Sequence, residues 1–299
     1  MKISKKRGLG DPSNTNQNFI NLKLKLLCCR YWQIDLWDCH DMVFPYWRIY
    51  WNKNEGGELI HDDKITSMRT DALYIIPPFT SFSSRFTKNH VYKNGIHVSG
   101  RHVTTTVEEI NYQEKSLFHF FTHFNLGVPF DNVYPRIIEI KLTDYLKDRL
   151  IYLTERLKIE NTDFKLTFNL KLQAFIKETL TNIGPELWKT INMDDRVLKV
   201  IRFIEMNVSK KLSNADIADI ANMAPNSFAR LFKQEMNISV HNFIQNRKIA
   251  KACDLFEHSN NTIEEVSFDL GFSDRYHFSR VFKSVTGLTP AVYKSGKYT

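Results

Sequence analysis

Apolar positions follow three regimes along this chain. From about Ile20 to Phe130, short apolar and aromatic runs are punctuated by turn residues. Tyr46-Trp47-Arg48-Ile49-Tyr50-Trp51 precedes the turn Asn54-Glu55-Gly56-Gly57, and Glu58-Leu59-Ile60 resumes the extended run. Ala72-Leu73-Tyr74-Ile75-Ile76 is closed by Pro77 and Pro78, which cannot continue a hydrogen-bonded ladder, and Ser116 to Phe124 is a further β-prone run. Many short strands between turns predict a small barrel or sandwich. After Pro135 the spacing becomes helical. Leu142, Tyr145, Leu146, Leu150, Tyr152, Leu153 and Leu157 suit one amphipathic helix. Leu166, Phe168, Leu170, Leu172, Ala174, Phe175, Ile176 and Leu180 suit a second, which Asn182-Ile183-Gly184-Pro185 breaks.

The third regime carries a near-repeat. Phe228-Ala229-Arg230-Leu231-Phe232-Lys233 recurs fifty positions on as Phe278-Ser279-Arg280-Val281-Phe282-Lys283. In each copy the apolar residues fall at i, i+3 and i+4, so the arginine and lysine point away from that face. A shorter helical segment and a break precede each copy: Ala215 to Ala221 then Asn222-Met223-Ala224-Pro225, and Ile263 to Leu270 then Gly271-Phe272-Ser273-Asp274. Ser213, Thr262 and Asp274 are suited to cap helix N-termini, Pro225 to open a helix, and Gly271 to end one. Two short helices with a tight turn, the second basic on its exposed side, are what a helix-turn-helix needs to enter a DNA major groove. Phe243, Ile244, Ile249, Ala252, Leu255 and Phe256 predict a single helix from about Val240 to Phe256. Such a helix would hold two readers at a fixed separation on successive major-groove segments.

At these residues the chain resembles a known family. Leu212-Ser213-Asn214-Ala215-Asp216-Ile217-Ala218, Arg230-Leu231-Phe232-Lys233 and Arg247-Lys248-Ile249-Ala250-Lys251-Ala252 are similar to segments of the AraC/XylS DNA-binding domain. So are Leu270-Gly271-Phe272, Tyr276 to Lys283, Thr286-Gly287-Leu288-Thr289-Pro290 and Tyr293, in that order. The resemblance covers about Val197 to Tyr293. A weaker likeness in the order of the strands, to the cupin-like sensor of such regulators, implies an α+β two-domain fold. Its parts would be a tail (1–18), a cupin-like β-barrel with helices (19–185), a linker (186–194) and an all-α domain with two helix-turn-helix motifs (195–299). The resemblance implies Asn226, Ser227, Ala229, Arg230 and Lys233 in the first unit as DNA-facing, with Arg275, Tyr276, His277, Ser279, Arg280 and Lys283 in the second. Arg230 suits a guanine edge or a phosphate and Asn226 an adenine; Ala229 is shorter than the polar residue common there. Lys233 and Lys283 suit phosphates, which anchor without specifying. The implied partners are double-stranded DNA, a small-molecule effector, a second copy of the chain in a homodimer and, for an activator, RNA polymerase. The helices after Pro135 either make that dimer contact or pack on the barrel.

Charge changes this picture little. The formal net charge is +8 and the pI near 9.1, yet 15 Lys and Arg face 11 Asp and Glu from Asp195 onward, against 26 and 22 before it. Basicity is not concentrated in the proposed DNA domain, so charge permits an anionic partner and the motif argues for it. Cys28, Cys29, Cys39 and Cys253 have no zinc or disulfide spacing, which predicts reduced, inert thiols. There is no run of 18 apolar residues and no signal peptide, and the start from Met1 to Asn18 is basic, then polar. The expectation is a soluble cytoplasmic protein away from membranes, without a cofactor. His119 and His123 share a strand face, but no His-x-His with a nearby Glu accompanies them, so no metal site is expected. The alternative function, a cupin-type metal-dependent enzyme with an accessory DNA module, would require such a site. Trp32, Trp37, Trp47 and Tyr50, with Tyr46 and Trp51, either line a small-molecule pocket or belong to the core.

Overall fold

A computed structural model describes residues 22–88, 95–105, 116–127, 130–131, 133–159, 164–188, 193–236 and 238–295. The expected basic tail and residues 189–192 of the expected linker lie outside these residues.

The first regime folds as one curled antiparallel sheet, a half-barrel. Its strands are β1 (Lys25–Met42), β2 (Trp47–Asn52), β3 (Gly57–His61), β4 (Lys64–Ser67), β5 (Ala72–Ile76), β6 (Phe82–Phe86), β7 (Ile96–His102), β8 (Leu117–Asn125) and β9 (Ile138–Lys141). They run in the order β4-β3-β6-β1-β8-β2-β5-β9, with β7 also paired to β1. β1 organises the curl. It pairs with β8 through Lys25 to Ile34, with β7 through Trp32 to Cys39 and with β6 through Asp38 to Met42. Register shifts after Leu26, Ile34 and Cys39 let so long a strand bend from one set of neighbours to the next.

Side chains alternate between the two faces. Tyr31, Trp47, Ile49, Leu73, Ile75, Phe118, Phe120 and Phe124 point to one face, where α1 (Asp144–Ile159) and α2 (Leu166–Thr181) cover them with Leu146, Leu150, Leu153, Leu157, Phe168, Leu172, Phe175 and Ile176. Phe120 meets Phe175 edge-on at 6.1 Å. The helices therefore pack on the sheet. Leu166 and Leu170, expected on the apolar face of α2, are instead 72% and 56% exposed, and Tyr145 of α1 also faces solvent. The stretch after Pro135 begins with β9 before it turns helical, since Leu73 and Ile75 of β5 still need an edge partner.

The third regime is all-helical: α3 (Asp195–Met206), α4 (Asn214–Ile220), α5 (Pro225–Met236), α6 (Val240–His258), α7 (Ile263–Asp269), α8 (Arg275–Thr286) and α9 (Pro290–Ser295). It has two cores. Val197, Val200, Ile201 and Ile204 of α3 join Ile217, Phe228, Phe232, Val240, Phe243 and Ile244 in the first. The far half of α6, with Ile249, Ala252, Cys253 and Phe256, packs with Val266, Phe278, Phe282 and Tyr293. This second core is continuous with the other face of the sheet, whose Trp37, Tyr46, Tyr50, Phe82 and Phe86 belong to the same cluster. α6 spans both.

Candidate nucleic-acid interface

The two helix pairs are built alike by local chemistry. Ser213 accepts from the Asp216 amide at 3.2 Å while the Asp216 carboxylate accepts from the Ser213 amide at 2.9 Å, closing a capping box on α4. Thr262 and Glu265 do the same on α7 at 3.2 and 2.6 Å. These hydrogen bonds also hold the Asp216 and Glu265 carboxyls below their usual range. Each short helix ends at a left-handed residue, Asn222 (φ 52°) or Gly271 (φ 66°). In each turn the following amide returns to a carbonyl five residues back, Met223 to Ala218 at 3.0 Å and Phe272 to Ser267 at 3.1 Å. The second turn then holds one more residue before its helix, room used by Asp274, which accepts from the His277 amide at 2.7 Å.

The phenylalanines of the repeat set the rotation of both second helices. Phe228 and Phe232 are buried with ring centroids 5.7 Å apart, Phe278 and Phe282 likewise at 5.6 Å. Asn226, Ser227, Ala229, Arg230 and Lys233 are consequently exposed on α5, and Arg275, Tyr276, Arg280 and Lys283 on α8. His277 and Ser279 are only half-buried into this surface. The His277 ring leans on Phe272 at 5.6 Å and lies 3.3 Å from the Ser273 hydroxyl. Among the described residues Arg230, Lys233, Arg275, Arg280 and Lys283 enter no ion pair, so their charges face solvent. Elsewhere in the same domain Arg196 is paired to Asp194 at 2.7 Å and Arg247 to Glu205 at 2.5 and 3.0 Å. Cationic side chains left unpaired on two parallel-built helices are suited to polyanion contact.

Two groups that sequence reasoning missed hold this surface in place. Lys248 of α6 is buried and donates to the Leu270 carbonyl at 2.6 Å, placing a cation at the C-terminal end of α7. Burial lowers its pKa. Arg247, one residue earlier, joins α3 through Glu205 and the sheet domain through Asp131, 3.9 Å away. Asp131 also accepts from Trp47 Nε1 at 3.0 Å and from the amides of Leu126 and Gly127 at 2.8 and 3.1 Å. Burial raises the Asp131 pKa, and Arg247 and these donors oppose that rise. Burial also opposes the charge of Arg247, but the Glu205 and Asp131 carboxylates more than offset it. Lys25 and Asp254 form a further ion pair across the domain boundary.

Of the four aromatic residues read as lining a pocket or belonging to the core, Trp37, Trp47 and Tyr50 are buried in the core, on two different faces of the sheet. Trp47 lies on the helix-covered face, stacked on Phe124 at 6.2 Å and against Trp188 at 5.6 Å, because its neighbours Tyr46, Arg48 and Tyr50 take the opposite face of the strand. Trp37 and Tyr50 do meet, at 6.2 Å, and both touch the His119 ring at 4.7 Å. Trp32 sits apart, edge-on to Phe121 at 6.4 Å. His119 and His123 line this inner face, and burial, then Arg48, pushes the His119 pKa down to about 3 and that of His123 well below its usual value. Cys29 and Cys39 are buried, and burial raises both thiol pKa values, Cys39 to about 12. Among the described residues no group of three or more His, Cys, Asp or Glu is placed to hold a metal ion, and no helix is long and apolar enough to cross a membrane.

Residues 217–296 match a family model described as a helix-turn-helix domain. The C-terminal part of the chain is a helix-turn-helix domain of the AraC type. The arabinose operon regulatory protein of Escherichia coli is 34% identical over 107 residues, covering 35% of this chain and 36% of its own. The HTH-type transcriptional regulator YfiF of Bacillus subtilis is 32% identical over 112 residues, 37% of this chain and 35% of its own. The chain thus spans about a third of the length of these curated relatives. Over nearly the whole chain the fold is that of ToxT from Vibrio cholerae, with TM-score 0.57, 11% identity, 91% of this chain and 98% of ToxT covered. At that identity the likeness shows the two-domain fold alone.

Proposed function

We propose that this protein is a sequence-specific DNA-binding transcription regulator of the AraC type, with two helix-turn-helix units and a ligand-responsive N-terminal domain. The observation that carries the reading is the basic faces of α5 and α8, which enter no ion pair among the described residues and are each turned outward by an equivalent buried phenylalanine pair. In this reading Arg230 and Arg280 contact base edges with Asn226 and Tyr276 beside them, and Lys233 and Lys283 hold phosphates. The matching relatives are regulators, which favours this over an enzyme. ToxT structures of the same fold carry an unsaturated fatty acid or (E)-4-(8-methylnaphthalen-1-yl)but-3-enoic acid, which supports a small-molecule effector for the sheet domain here. The outward apolar side chains Tyr145, Ile151, Ile159, Leu166 and Leu170 on α1 and α2 suit a homodimer contact. An activator would engage RNA polymerase in the cytoplasm.

Selection of binding sites from a random DNA library by the full-length protein, followed by titration at rising salt, tests the reading. One enriched motif with two half-sites about one helical turn apart, bound less tightly as salt rises, is the expected result. Failure to enrich any sequence would overturn it.

A further inference from the structure

The loop between α3 and α4 presents two adjacent lysines where the two helix pairs meet. The Asn207 side chain donates to the Phe203 carbonyl at 2.9 Å as α3 ends, and the Lys210 amide donates to the Asn207 carbonyl at 2.9 Å, closing a turn. Leu212 then packs on the core of the first pair and Ser213 caps α4. Between these anchors Ser209, Lys210 and Lys211 are exposed. The same loop lies against the turn of the second pair. A side chain at Gly271 would stand 2.9 Å from the Ser209 carbonyl oxygen and 3.7 Å from the Lys210 carbonyl carbon, so glycine is what lets the two backbones approach. α6 ties this junction together: Lys248 donates to the Leu270 carbonyl beside Gly271, and Arg247 binds Glu205 in the last turn of α3. Among the described residues neither Lys210 nor Lys211 enters an ion pair. The carboxylate nearest in sequence, Asp216, is taken by the Ser213 amide and hydroxyl. The second pair has no such cations: Asn260 and Asn261 precede its cap Thr262, and the Asn261 carbonyl accepts from Lys294 at 2.7 Å. The lysines therefore stand at the approach that touches the other pair.

In a helix-turn-helix the second helix enters the major groove and the first crosses the sugar–phosphate backbone. Two pairs that read successive major-groove segments have a stretch of backbone between them, bordering the minor groove that separates those segments. We infer that Lys210 and Lys211 make a third DNA contact, a clamp on the phosphates between the two half-sites. This rests on the DNA-binding reading above and adds to it a site outside both recognition helices. The lysines precede α4, the helix that crosses the backbone, on the side where the turn of the second pair abuts. An ammonium group meets a phosphate as a point charge whatever the base, so the contact contributes affinity and placement with no sequence preference of its own. The braced loop fixes where the two side chains start, which limits the ordering that the contact requires.

The test uses the full-length protein and the DNA site it selects, with binding titrated at several salt concentrations and contacts mapped by phosphate ethylation interference. Each phosphate contact adds about 0.9 to the slope of log affinity against log salt, so Lys210→Ala combined with Lys211→Ala should reduce that slope by about 2. The same variant should bind about tenfold less tightly at physiological salt and select an unchanged sequence. Ethylation between the half-sites should impair the unaltered chain and cease to matter for the variant. Lys210→Arg with Lys211→Arg should keep both the slope and the interference. Lys199→Ala with Arg202→Ala removes the same charge from exposed positions of α3 and should change neither. Should the alanine pair not fold, Lys210→Gln and Lys211→Gln serve singly, each reducing the slope by about 1. The inference is overturned if the lysine variants keep the full slope, if the α3 pair lowers it equally, if ethylation between the half-sites leaves the unaltered chain unaffected, or if the selected sequence shifts. An unaltered chain that selects no DNA sequence removes the DNA-binding reading and this inference with it, whereas an unaltered chain that binds with lysine variants of equal slope removes the inference alone.

Discussion

The two helix pairs differ in what lies beneath them. α4 and α5 sit on a core made with α3 and the first half of α6, separate from the sheet. α7 and α8 sit on a core that runs on into the sheet's inner face. The outward surfaces are matched and the foundations are not. A ligand in the sheet domain shifts a DNA-binding equilibrium only through contacts that differ between states. By that criterion the second pair is the one within its reach, while the first offers a reader of fixed geometry.

The largest effects test the foundations. Phe232→Ala and Phe282→Ala each truncate a fully buried ring and should each destabilise by about 3–5 kcal/mol. Hydrogen exchange should separate them, with β1 and β6 amides losing protection in Phe282→Ala and keeping it in Phe232→Ala. Equal loss in the sheet for both would remove the distinction. Arg247→Ala should cost a similar 3–5 kcal/mol, because it leaves Asp131 and Glu205 as carboxylates without their cation. Thermal denaturation of that variant beside Arg196→Ala, which breaks only an exposed pair, should give a much smaller loss for the second.

Effects on recognition are intermediate. Arg230→Ala and Arg280→Ala should each weaken specific binding by about 1–3 kcal/mol and relax the preferred sequence in one half-site. Lys233→Ala and Lys283→Ala should weaken binding evenly across sequences. Site selection with each variant tells these apart, and unchanged preferences in both arginine variants would contradict base reading. The smallest effects concern the caps. Ser213→Ala and Thr262→Ala remove equivalent capping boxes and should each cost about 1 kcal/mol, measured by chemical denaturation. A marked inequality would mean that α4 and α7 are not equivalent.

Legibility in the sequence followed the range of the interactions. The helix pairs were readable because their determinants are local: Ser213, Thr262 and Asp274 cap within three residues, and Phe228 and Phe232 are one turn apart. Strands with strong apolar runs, such as Ala72–Ile76, were equally readable. β6 and β7 were not, since Phe82-Ser83-Ser84-Arg85-Phe86 and Ile96 to His102 are half polar and become strands by pairing with β1. The inward Arg48 had a signal, a charge on the same strand face as Tyr46 and Tyr50, and that alternation also separates Trp47 from Tyr50. The contact of Arg247 with Asp131 had none, because it joins segments on opposite sides of the domain boundary.

Hydroxyl-radical footprinting of the full-length protein on its selected DNA site tests the central claim most directly. The account predicts two protected segments on one face of the duplex, about one helical turn apart, with Arg230→Ala weakening one and Arg280→Ala the other. A single protected segment, or two that both respond to the same arginine and ignore the other, would contradict it.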